Sequence, residues 1–116
     1  MPTFIINTNA LGDSVNNSDF LAEASALVAS ELGKPESYVM VHLNTNQTMC
    51  FGGTEAPCAF CRIISLGSIG GDKNKTISAA VCSLLERKLG VPPNRTYIEF
   101  TDPKRSDFGF NSSTFG

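Results

Sequence analysis

Residues 32–43, LGKPESYVMVHL, are repeated in outline by residues 89–100, LGVPPNRTYIEF. Each copy reads as a helix end turning into a strand. Gly33 and Gly90 suit the left-handed position that closes a helix, Pro35 and Pro92 forbid its continuation, and the β-branched and aromatic residues that follow favour extended chain. Upstream of each copy runs an apolar stripe with a helical period. Phe20, Leu21, Ala24, Leu27, Val28 and Leu32 form the first, and Ile77, Val81, Leu84, Leu85 and Leu89 the second. Strand candidates precede both, at residues 2–7 and 59–66. Ser18 is the expected N-cap of the first helix, and Asp72 places a negative charge near the start of the second.

Two β-α-β units in tandem predict an α/β (α+β) fold, a four-stranded mixed sheet with two helices on one face and short extra strands. The alternation along the strands leaves the other face partly apolar. Phe4, Ile6, Val39, Val41, Leu43, Ile98 and Phe100 share one parity, while Ile5, Met40, His42, Tyr97 and Glu99 share the other. A helix-free face carrying Ile5, Met40 and Tyr97 predicts self-association, because monomers rarely expose large apolar patches. Phe108, Phe110 and Phe115 are too many aromatics for a solvated terminus. The tail is therefore expected to dock, partly on a neighbouring subunit's sheet edge.

With 116 residues, 41% of them hydrophobic, the chain supports one core and reads as a single domain, 1–116. The net charge of −2 is scattered, leaving no basic face for nucleic acid or anionic lipid. The first residues have no basic flank and only a short apolar run, so neither a signal peptide nor membrane insertion is expected, and synthesis is expected in the cytoplasm. There Cys50, Cys58, Cys61 and Cys82 are expected as free thiols.

Among residues that carry chemistry, Pro2 is the sharpest candidate. Excision of Met1, which small second residues permit, leaves a secondary amine at the head of a strand. An α-amino group ordinarily titrates near ~7.7–8.0, and burial or a nearby cation lowers that value. Lys34 lies where a cation commonly meets the carbonyls of a helix end. The second copy carries Val91 there, so the turn itself does not require a lysine. The glycine-rich run 65–71 joins a strand to a helix and can turn N–H groups toward a carboxylate, although it also reads as a simple tight turn. Cys58 and Cys61 are a candidate redox pair, but at strand spacing they lie roughly 10 Å apart, too far for a bond without local unfolding. His42 alone makes no metal site.

The segments MPTFIINTN (1–9), LGKPESYVMVH (32–42), FGG (51–53), PCAFC (57–61), SLGSIGG (65–71), NRTYIEF (94–100) and GFNSSTFG (109–116) together resemble the macrophage migration inhibitory factor family of the tautomerase superfamily. The resemblance implies a homotrimer with active sites at subunit boundaries and no cofactor. It implies keto–enol tautomerisation of a small aromatic α-keto acid or enol, of the phenylpyruvate or D-dopachrome type. Carried over by motif, Pro2 is the base, Lys34 and the Leu66 N–H bind carboxylate or enolate oxygens, and Tyr38, Tyr97 and Phe115 line an aromatic slot. Glu99 stands where vertebrate members place Asn, and Phe108 and Phe110 replace the Val and Trp of the pocket rim. The family also implies a cytokine that engages a cell-surface receptor after secretion without a signal peptide, with the pocket as a vestige in the alternative reading. Leu11-Gly12-Asp13 lacks the Arg that vertebrate members carry there.

Overall fold

A computed structural model describes residues 1–116. The chain runs β1 (Thr3–Thr8), α1 (Ser14–Leu32), β2 (Met40–Asn44), β3 (Ala59–Ile64), α2 (Gly71–Leu89), β4 (Thr96–Thr101), β5 (Gly109–Phe110) and β6 (Ser113–Thr114). The main sheet has the order β2-β1-β3-β4. β1 pairs with β2, and β3 with β4, in parallel, while β1 and β3 meet antiparallel at the centre. This is the mixed sheet expected from two β-α-β units.

The repeat survives in backbone detail. Gly33 (φ 63°, ψ 38°) and Gly90 (φ 70°, ψ 24°) both close their helices in the left-handed region, where an added Cβ is costly. Pro35 and Pro92 then lead into single 3-10 turns, Glu36–Tyr38 and Pro93–Arg95, before β2 and β4 begin. The helices bury one row of side chains each, Phe20, Ala24, Val28 and Leu32 on α1 and Ile77, Val81, Leu84 and Leu85 on α2. They pack on Phe4 and Ile6 of β1 and Cys61 and Ile63 of β3 in one core cluster. Each fully buried Phe, Ile or Leu contributes about 1.5–3 kcal/mol. Lys88 adds a polar tie between the helices, reaching Asp19 at 2.8 Å and Glu23 at 3.1 Å.

One expectation is corrected. The N-cap of α1 is Asp13, whose Oδ1 accepts the N–H groups of Val15 (3.1 Å) and Asn16 (2.9 Å), whereas Ser18 lies inside the helix. Val15, the one apolar residue of the first turn, is itself exposed, so the apolar period is blind to where the helix starts. The tail docks as expected, and within this chain it does so against Tyr38. Phe110 stacks on Phe115 with centroids 5.4 Å apart, and its edge meets Tyr38 at 5.9 Å. A two-residue turn with positive φ at Asn111 and Ser112 folds β5 onto β6 and brings those rings back.

The sheet face away from the helices is open, with Met40 64% and Tyr97 65% exposed. Ile5 and His42 share that face by parity, as do Arg62 and Glu99, which form an ion pair at 3.0 Å.

Candidate active site

The amino terminus is held by the sheet rather than left loose. Pro2 is buried, and its carbonyl accepts the Met40 N–H at 3.0 Å, extending the β1–β2 ladder by one bond. Met1 therefore projects into a cavity of about 290 Å³. Thr3 and Met40 form the sheet side of that cavity, Ser37, Tyr38 and Val39 the turn side, and Phe108, Gly109, Phe110 and Phe115 the tail side. The walls are predominantly apolar, with a few polar groups, the usual make-up of a small-molecule site.

The charges around the terminal nitrogen favour its neutral form. The Met1 ammonium is held below the usual α-amino range first by burial, then by Lys34, then by Arg105. Lys34 comes from the α1–β2 turn and donates from Nζ to the Leu66 carbonyl at 3.2 Å. At the matching place in the second unit, Val91 is fully buried. The same turn thus supports an apolar anchor in one copy and a cation in the other. Leu66 is itself buried, and its N–H has no acceptor within the chain. With Met1 in place the Pro2 nitrogen is an amide without basicity. Once Met1 is gone it becomes the terminal amine, one residue along the chain from the present one.

Lys34, Leu66, Tyr38, Phe108, Phe110 and Phe115 thus gather around the chain start within one protomer. Tyr97 and Glu99 do not join them. β4 is two strands away from β1 in the sheet order, Tyr97 packs on Phe51 at 5.0 Å, and Glu99 pairs with Arg62. Tyr97 also lies opposite Phe60, which lies opposite Asn7, so it sits at the far end of β1 from Pro2. Cys58 and Cys61 are both buried as free thiols, Cys61 within the main core cluster and Cys58 outside it. Burial, reinforced by Cys82, pushes the Cys61 thiol up to about 12, leaving almost no thiolate at neutral pH. No group of three or more His, Cys, Asp or Glu side chains is arranged to hold a metal, and no helix is long and apolar enough to cross a membrane. Met40 lines the cavity, and Arg105, outside its lining, acts on the Met1 ammonium and donates to the Phe115 carbonyl; neither was singled out from the sequence as a site residue. Met40 was readable as a strand residue beside the turn, whereas Arg105 lies in a polar stretch with no distinguishing pattern.

Tandem β-α-β units sharing one sheet, with the amino terminus pinned at the edge of an aromatic cavity, are the architecture of the tautomerase superfamily. Fold and site assign the chain to that class. Residues 1–116 match the family model described as Macrophage migration inhibitory factor (MIF), and the chain belongs to that family. A macrophage migration inhibitory factor homolog from Trichuris trichiura is 49% identical over 115 residues, covering 99% of this chain and 100% of the relative. The solved structure of the macrophage migration inhibitory factor from Trichinella spiralis superposes with a TM-score of 0.90 at 44% identity, over 97% of this chain and 99% of that one. A homologue from Prochlorococcus marinus superposes with a TM-score of 0.93 at 36% identity, over 98% and 99%.

Proposed function

We propose that the chain, once Met1 is removed, is a keto–enol tautomerase of aromatic α-keto acids that uses the Pro2 nitrogen as its base. The observation that carries this reading is the chain start, set beside an aromatic cavity, where burial, Lys34 and Arg105 disfavour protonation of the Met1 nitrogen, one residue from that of Pro2. A neutral Pro2 amine takes a proton from the carbon next to the carbonyl of phenylpyruvate. The electron pair moves to the carbonyl oxygen, and the protonated amine returns the proton there to give the enol. An amine titrating near working pH serves both steps. Lys34 and the Leu66 N–H stabilise oxygen charge as the enolate develops, and Tyr38, Phe108, Phe110 and Phe115 hold the ring. D-dopachrome-type substrates fit the same slot.

The open sheet face supports a homotrimer, in which Tyr97 and Glu99 of one copy reach the slot of the next. Replacing Pro2 by Gly, with removal of Met1 verified by intact mass, should lower kcat/KM for phenylpyruvate by about 100-fold or more. Activity that persists in that variant sinks the assignment of the base. The names of the relatives, macrophage migration inhibitory factors, favour a second role as a cytokine that acts on a cell-surface receptor. Signalling retained by an inactive Pro2→Gly protein would show that this role does not need the chemistry.

A further inference from the structure

Seven of the nine lysines and arginines divide by what they touch, Lys73 and Lys104 making no side-chain bond. Arg62, Lys75, Arg87 and Lys88 face carboxylates, and Arg95 donates to the carbonyls of Thr54, Ala56 and Pro57. Lys34 and Arg105 are arranged differently and alike. Each donates to a single main-chain carbonyl, Lys34 to Leu66 at 3.2 Å and Arg105 Nε to Phe115 at 2.9 Å, and neither has a carboxylate partner. Phe115 lines the cavity, so Arg105 is tied to its wall. Both cations act on the terminal ammonium, Lys34 from the α1–β2 turn and Arg105 from the 3-10 turn Arg105–Asp107 that leads into the tail.

An α-keto acid presents a carboxylate and a carbonyl oxygen on adjacent carbons, and enolisation adds charge to the second. Lys34 already gives one of its three donors to Leu66, and a carboxylate is met best by two parallel N–H bonds, which a guanidinium supplies and an ammonium does not. Arg105 has its Nε engaged, while its two terminal nitrogens have no acceptor in the chain. These nitrogens form a planar fork suited to a carboxylate.

We propose that Arg105 is a substrate-recognising residue that binds the carboxylate of an aromatic α-keto acid through its terminal nitrogens, leaving Lys34 and the Leu66 N–H to the enolate oxygen. The assignment rests on the tautomerase reading above. It makes the site selective for a free acid over the corresponding ester.

The test compares kcat/KM for phenylpyruvate with that for methyl phenylpyruvate, its own ester, which lacks the carboxylate, in the native protein and in Arg105→Gln and Arg105→Lys. Any loosening of Phe115, and any change at the amine, affects both substrates and cancels in the ratio. The ratio should fall about tenfold in Arg105→Gln, equivalent to about 1.4 kcal/mol, and should recover in part in Arg105→Lys. Parallel losses with an unchanged ratio would make Arg105 a strut for Phe115 and overturn the proposal. If native protein free of Met1 converts neither substrate, the tautomerase reading fails. Arg105 is then judged by NMR titration with phenylpyruvate, where an unchanged dissociation constant in Arg105→Gln overturns the proposal and a tenfold weakening upholds carboxylate recognition.

Discussion

Replacing Lys34 by Val transplants into the first unit the residue that the second unit carries at the same place. The two turns have nearly the same closing glycine geometry, and Val91 is fully buried in its copy. Folding should therefore tolerate the change. Losing the charged hydrogen bond to Leu66 removes about 1.5–3 kcal/mol, and burying the valine returns a similar amount, so the urea midpoint should correspond to a net change within about 1 kcal/mol. Activity should not be spared. If Lys34 makes one charge-assisted bond to the developing enolate, its loss lowers kcat/KM for phenylpyruvate by about 10- to 150-fold. A nearby cation disfavours the protonated amine, so removing it raises the amine pKa and moves the acid limb of the pH–rate profile to higher pH. Steady-state rates across pH, with circular dichroism and urea titration as the folding control, test the two effects separately. A well-folded Lys34→Val protein with kcat/KM within threefold of native and an unmoved acid limb would remove Lys34 from the site.

Asp13→Ala should destabilise the protein by about 1 kcal/mol, since two first-turn N–H groups lose their acceptor. Ser18→Ala, inside the same helix, should be neutral or slightly stabilising, and urea midpoints at one fixed protein concentration discriminate the two. On the acid side, Asp19 and Glu23 are held below the usual carboxylate range by bonds to Lys88, with Arg87 adding to the hold on Glu23. A depressed carboxylate contributes stability above its unfolded pKa and loses it as pH falls through the lower folded value. The raised Lys88 contributes below its unfolded pKa and loses that contribution as pH rises through its folded one. Stability measured by urea titration should therefore decline below the usual carboxylate range, and Asp19→Asn should make that decline shallower. An unchanged acid slope in Asp19→Asn would deny the α1–α2 ion pairs any share in it.

Features that repeat were the most legible, whereas single contacts made by one side chain were not. Gly33, Pro35, Gly90 and Pro92 each impose a backbone state that few other residues adopt, so a single sequence sufficed to place both helix ends and the strands after them. Asp13 was missed because capping depends on one side chain meeting two N–H groups, a contact with no period. Arg105 was missed because its relation to the amino terminus, about a hundred residues away in sequence, exists only after the tail hairpin closes. The register of the sheet shows why the chemistry lies in one unit only. Thr3 pairs with Met40, and Phe60 pairs with Tyr97, the residue that aligns with Met40 in the repeat. The counterpart of Pro2 in the second unit is therefore Ala59, and that of Met1 is Cys58. At that counterpart the chain is continuous, its nitrogen is an amide, and Val91 takes the place of the lysine. An α-amine can exist only where a strand is also a chain end, so the near-symmetric scaffold offers one position for such a base, and the residues that depart from the repeat, Lys34 and Tyr38, gather around it.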